Sequence, residues 1–237
     1  MVQSKTMSGC VAARTGPSAV PVTASVQPYS AARPRAVNLY RREGDGATRA
    51  NLKIFSRDAA ITLSERVPML ENMGFRVVNE RTFNIKPQAG ENGAEARVWL
   101  HDMTLERADD GEIDVEHLDP TIEAALMAQF RGFAESDRFD QLVLVAGLAW
   151  REAALLRAFG RYLRQAGAPY AQGYIADALT SHPGIAAGLV AYFAAKFDPR
   201  VPAGEREQRM AQKHAEIEEA LDAVTSLDDD RILRRLV

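Results

Sequence analysis

The sequence predicts an α+β fold: a sheet-and-helix module followed by an all-helical segment, with a disordered leader in front. Three observations carry that expectation. Between residues 51 and 106, short runs of strand character alternate around a single helix. After Gly111 the apolar period becomes helical and remains so to the C-terminus. Residues 1–48 show neither period.

Residues 1–48 are rich in Ala, Ser, Thr, Val and Pro, and Lys5, Arg14, Arg33, Arg35, Arg41 and Arg42 all precede the first acid, Glu43. Such a composition buries too little area to offset chain entropy, so a disordered leader is expected. An acid-poor stretch with Arg and Ser also resembles a mitochondrial transit peptide, but no amphipathic arginine face supports that reading.

The module is expected over residues 49–110. Leu52, Ile54 and Phe55 mark a short strand within residues 51–57. Thr62-Leu-Ser-Glu65 has the form of a capping box, opening a helix that runs to Met73 and closes at Gly74. Pro68 is tolerated in a first turn and would kink anything later. Phe75, Val77, Phe83 and Ile85 belong to a strand from Phe75 to Lys86, followed by a polar turn at Gly90 and Gly93. The stretch Ala96–Glu106 alternates, with Val98, Leu100, Met103 and Leu105 supplying the apolar positions. Strands with interspersed helices on one face make an α+β unit.

A helical domain is expected over residues 111–199. Asp119-Pro120 has the form of a cap followed by proline at the first helical position, and Ile122, Leu126, Phe130 and Phe133 mark one face. Asp137 caps a short helix that ends at Gly147. Leu148, Leu155, Leu156, Phe159, Tyr162 and Leu163 stripe the next, which stops at Gly167. Tyr170–Ser181 and Pro183–Phe197 follow as helices. Residues 200–237 hold a charged helix whose seam, Met210, His214, Ile217, Leu221 and Val224, suits packing on one neighbouring helix. Asp228, Asp229 and Asp230 then open a helix with Ile232, Leu233, Leu236 and Val237, which stops apolar and uncapped, the pattern of a truncated element.

Composition excludes several functions. Of 237 residues, 46% are hydrophobic and 26% charged, and the net charge is −3, against a broad nucleic-acid surface. Cys10 is the lone cysteine, so neither a disulfide framework nor a multi-cysteine zinc site is possible. The most apolar stretch, Ile185–Phe197, is too short for a membrane span and is broken by Gly188 and Lys196. A cytoplasmic protein without membrane or nucleic-acid partners is expected.

Chemistry-bearing patterns are few. A dinucleotide site needs a glycine-rich turn between strand and helix, and Gly44-Asp-Gly46 has neither a preceding strand nor a third glycine. The five lysines include none in a phosphate-cradling loop. His101, His117, His182 and His214 share no metal-ligand spacing, and His101-Asp102 would point to opposite faces of a strand. His117 reads as part of an acidic loop, His182 as a helix boundary and His214 as part of the seam. Thr180-Ser181-His182 is no nucleophile elbow, Asp109-Asp110-Gly111-Glu112 is a turn rather than a calcium loop, and Glu216, Glu218 and Glu219 form a solvated face. Trp99 and Trp150 read as packing residues. No catalytic, cofactor-binding or metal residues are therefore assigned.

One resemblance covers residues 51–237. It rests on Leu52-Lys-Ile-Phe55, Leu63-Ser-Glu-Arg-Val-Pro-Met-Leu-Glu-Asn-Met-Gly-Phe-Arg-Val-Val78, Val98-Trp-Leu-His-Asp102, Ala146-Gly-Leu-Ala-Trp-Arg-Glu152, Leu156-Arg-Ala-Phe-Gly-Arg-Tyr-Leu-Arg164 and Leu227-Asp-Asp-Asp-Arg-Ile-Leu-Arg-Arg235. These strings resemble the large bacterial NAD-specific glutamate dehydrogenases, and residues 1–48 fall outside the likeness. The resemblance implies that residues 49–110 are the last ACT-like, ferredoxin-like module of that family's N-terminal region. The following helices would lie upstream of a catalytic domain not in this chain. It implies oxidation of L-glutamate with NAD by the full-length family, and a homo-oligomer at full length. For this chain it implies an inactive fragment with no cofactor of its own, serving assembly or regulation beside that catalytic domain. Two other readings stay open: a stand-alone ACT-like amino-acid-binding module, and a helical interaction protein using the Met210–Val224 seam. Two departures stand out. The loop Asp58–Thr62 lacks the glycine usual where ACT domains sense amino acids, and Ala149 replaces a capping Ser or Thr.

Overall fold

A computed structural model describes residues 34–86 and 97–237. The turn expected at Gly90 and Gly93, and the leader up to residue 33, lie outside the described residues. Strands β1 (Arg35–Tyr40), β2 (Arg49–Arg57), β3 (Phe75–Ile85) and β4 (Val98–Arg107) form one antiparallel sheet in the order β1-β2-β4-β3. Helix α1 (Leu63–Asn72) joins β2 to β3, and β4 lies between those two strands, which makes a split β-α-β unit.

The expected leader is cut short here. Arg35–Tyr40 is not disordered but forms the fourth strand, with Val37 opposite Ile54 and Leu39 opposite Leu52 in the register. Val37, Leu39, Leu52 and Ile54 are all buried. In the usual ferredoxin-like order the edge strand beside the first β-α strand comes last. Here that place is filled from the N-terminal side, so the four-stranded ferredoxin-like sheet forms with one strand permuted.

Helix α2 (Val115–Phe130) corrects a second expectation. It begins before Asp119, because Asp114 is the N-cap and accepts from the His117 amide. Asp119 sits inside the helix and accepts a hydrogen bond of 2.8 Å from the Leu39 amide on the open edge of β1. An edge strand exposes unpaired N–H groups, and this carboxylate takes one of them. Ile122, Ala125 and Leu126 are buried, and α2 packs chiefly along β1, so this helix covers the sheet. Phe133 lies beyond the helix end and is 69% exposed, not on its apolar face.

Helix α1 ends at Gly74, whose φ of 87° is the left-handed conformation that glycine adopts freely. Its expected capping box does not form. Thr62 is the N-cap but makes no side-chain cap bond, its hydroxyl pairing with Ser64 while Glu65 reaches Arg35.

A 3₁₀ turn (Arg138–Asp140) and helices α3 (Gln141–Val145), α4 (Trp150–Gln165), α5 (Gln172–Ser181), α6 (Pro183–Phe197), α7 (Ala203–Asp222) and α8 (Leu227–Leu233) follow. Their apolar faces continue the core through Leu156, Ile175, Leu179, Leu189, Ile232 and Leu233. The α7 seam packs on α6 at Ile217 and Leu221, both buried, whereas His214 is exposed. Gly188 permits that approach, since a Cβ there would stand 3.0 Å from Ile217 Cγ1. Tyr162, expected on the α4 stripe, is 69% exposed.

Candidate functional site

Two clusters of buried polar side chains are the places where chemistry could be sought. The first lies under the sheet. His101 on β4 faces the helices, opposite Ile54 on β2 and Thr82 on β3, and is 1% exposed. Its Nε2 accepts from the Ile61 amide at 3.2 Å, and its Nδ1 lies 3.0 Å from Thr82 Oγ1 and 3.4 Å from Glu80 Oε1. The Thr82 hydroxyl donates to Glu80 at 2.7 Å, and the buried Arg66 of α1 also donates to Glu80. Burial, and then the Arg66 cation, hold the His101 pKa below the ordinary histidine value. Burial opposes ionisation of Glu80, but hydrogen bonds from Thr82 and Arg66 more than reverse it and its pKa lies below the usual range. Among the described residues, Arg66 Nε and Nη1 have no partner.

The second cluster joins the 3₁₀ turn to α4. Arg157 Nε donates to Asp137 at 2.8 Å, and Arg157 Nη2 donates to Asp137 at 2.9 Å and to Asp140 at 2.8 Å. Asp140 also accepts from Gln129 Nε2 at 2.8 Å and from the Asp137 amide at 3.0 Å. Burial pushes the Asp140 carboxyl up to about 6, against the pull of Arg157. Neither cluster holds a nucleophile beside a free base; both tie separate elements together.

His101 and Asp102 face opposite sides of the sheet, as the strand pleat requires. Asp102 lies on the outer face, where it accepts from Tyr40 at 2.8 Å and Arg42 at 2.7 Å. Burial, and then this carboxylate, push the Tyr40 phenol up to about 12. His117 pairs with the cap residue Asp114 at 2.7 Å in solvent, on the first turn of α2 rather than in a loop. His182 marks the α5–α6 boundary and lies 3.3 Å from Asp229. Asp109 accepts from the Gly111 amide and from Arg107, and Asp110 has a φ of 58°, so this segment is a turn. Among the described residues, no group of three or more His, Cys, Asp and Glu side chains is placed to hold a metal ion, and no helix is long and apolar enough to cross a membrane. The Met210–Val224 seam packs on α6 at its centre, through Ile217 and Leu221.

The first strand-to-helix loop, Arg57 to Thr62, is where an open α+β sheet would offer amides to a phosphate. Three of its amides are engaged: Asp58 donates to the Arg97 carbonyl, Ala59 to the Arg57 carbonyl and Ile61 to His101. Those three amides are not free to turn towards a phosphate. The described residues form a surface hollow of about 390 Å³ between Arg35, Glu123, Met127 and Arg131, and another of about 280 Å³ between Leu155, Val190, Phe193 and Phe197.

Comparison with known proteins adds a family context to this geometry. Residues 34–118 match the family model for the ACT3 domain of glutamate dehydrogenase, and residues 134–199 match its helical motif 3. The first match takes in β1, so the likeness extends into the segment that the sequence assigned to the leader. The chain is 38% identical over 202 residues to the NAD-specific glutamate dehydrogenase of Halomonas elongata, covering 85% of this chain. It is 37% identical over 205 residues to that of Pseudomonas aeruginosa, and 38% identical over 209 residues to that of Mycobacterium tuberculosis, covering 86% and 84% of this chain. In each case the chain spans about 12% of the relative's length.

Proposed function

We propose a function from one premise: the chain belongs to the NAD-specific glutamate dehydrogenase family, as its ACT3 domain and helical motif 3. In this reading the chain is a non-catalytic part of that enzyme, serving its assembly or regulation. Oxidation of L-glutamate to 2-oxoglutarate and ammonia, with NAD as hydride acceptor, takes place on residues outside it. The observation that carries the reading is the state of the Arg57–Thr62 loop. Gripping a pyrophosphate takes backbone amides free to turn towards it, and three of this loop's amides are bound within the protein. The two buried clusters support the same reading, because Arg157 and Glu80 spend their hydrogen bonds in joining elements.

Purified chain supplied with L-glutamate and NAD is expected to form no NADH. Steady NADH formation that disappears when glutamate is omitted would refute a non-catalytic role. The same preparation, melted with each common L-amino acid, separates assembly from sensing: a saturable rise in midpoint with one of them would establish an amino-acid-binding module instead.

A further inference from the structure

His101 is placed to do more than fill the sheet. Ile61 lies in the β2–α1 loop with its side chain in the core, 3% exposed, so its amide needs a protein acceptor. The acceptor is the Nε2 of His101, which must therefore carry a lone pair, leaving the ring proton on Nδ1. From there the donors run one way. His101 Nδ1–H gives to the Thr82 hydroxyl, the hydroxyl gives to the Glu80 carboxylate, and Arg66 closes the chain at Glu80. The charged groups that face the ring are Arg66 from α1 and Glu80 from β3; β2 presents the apolar Ile54 and the loop presents only the Ile61 amide.

We infer that His101 is a proton-sensitive latch on the β2–α1 loop, which holds Ile61 in the core while the ring is neutral and releases it when Nε2 gains a proton. A protonated Nε2 would aim N–H at N–H across 3.2 Å, and among the described residues neither nitrogen has another hydrogen-bond partner. Glu80 attracts the imidazolium at Nδ1, but it already answers to Arg66, whose cation opposes a second positive charge beside it. The cheapest relief is movement of the loop, because the sheet positions of His101 are held by ladder bonds on both sides. The loop already contains Asp58 at a φ of 68°, an uncommon conformation for a residue with a side chain.

Amide hydrogen exchange on the whole chain, followed residue by residue by NMR and corrected for the intrinsic pH effect, tests this. The native ring pKa lies below its unfolded value, so protection of Ile61 is complete above about pH 6.5 and is lost by up to about tenfold per unit as pH falls below it. Leu52 and Ile54 on β2 should keep their protection over the same range. His101→Gln, which offers an acceptor and a donor but has no proton to gain, should hold Ile61 protected with no acid response. Loss of Ile61 protection in step with Leu52 and Ile54, no loss at all, or an unchanged acid response in His101→Gln would overturn the latch. Should that variant not fold, the ring nitrogen shifts of the wild-type protein decide. The latch requires an unprotonated Nε2 at neutral pH and a ring titration coincident with Ile61 release, and a proton resident on Nε2 at neutral pH would refute it.

Discussion

The sheet layer and the helical layer each bury one arginine, and the two guanidiniums are held differently. Arg157, between the 3₁₀ turn and α4, faces two carboxylates and binds both through Nε and Nη2. Arg66, beneath the sheet, faces one carboxylate, and its Nε and Nη1 have no partner among the described residues. The helical cluster thus surrounds one cation with two anions, and the loss of Arg157 leaves both carboxylates without their cation. The sheet cluster is nearly neutral in sum and depends on a histidine remaining uncharged. A buried ion pair gives little net stability over an apolar replacement, but breaking one is costly, so the helical cluster works as a lock and the sheet cluster as a sensor.

Breaking the lock is the largest expected effect. Arg157→Leu leaves Asp140 buried without its cation, and should lower the unfolding free energy by about 3–5 kcal/mol in urea titration. A loss below about 1 kcal/mol would mean the cluster is not a lock.

The pH response sharpens the contrast, because the two clusters have opposite signs. Asp140 has a native pKa of about 6, above the unfolded value, so the native state binds the proton more tightly. Its contribution is complete below the unfolded value of about 3.9 and is lost as pH rises through 6, a change on the order of 3 kcal/mol. The His101 contribution is complete above about 6.5 and lost as pH falls. Subtracting Asp140→Asn from wild type across about pH 4–7 isolates the first slope. A difference that grows in favour of wild type with rising pH would contradict it.

The smallest expected effect concerns the clip between α2 and the open edge of β1. Asp119→Ala frees the Leu39 amide and should cost about 1 kcal/mol, with faster exchange at Leu39. Were Asp119 the helix cap that Asp119-Pro120 resembles, exchange would quicken in the following helical turn and Leu39 would be unaffected.

Much of the fold was legible because it is written locally. The helix Pro183–Phe197 is read to its ends, since Pro183 suits a first turn and Asp198-Pro199 closes the run. Gly74, Gly147 and Gly167 stop helices where the sequence places them, each with positive φ. Relations between distant residues were not legible. Arg35–Tyr40 reads as leader because its strand character is short and its meaning lies in Val37 and Leu39 meeting Ile54 and Leu52. The polar clusters join Arg66 to Glu80 across 14 positions and Ile61 to His101 across 40, spacings that no motif announces. Tyr162 and Phe133 show the converse error, apolar residues near a stripe that the packing leaves in solvent.

The amino-acid order alone determined that strands precede helices, where most helices stop, and which family the strings from Leu52 to Arg235 resemble, because periodicity, caps and breakers act within a few residues. Only the tertiary structure decided that β1 completes the sheet, that Asp119 serves a strand rather than a helix end, and that His101 accepts from the Ile61 amide. Each of these depends on which amide or carboxylate lies opposite once the chain has folded back on itself, and a buried polar group takes its character from that partner.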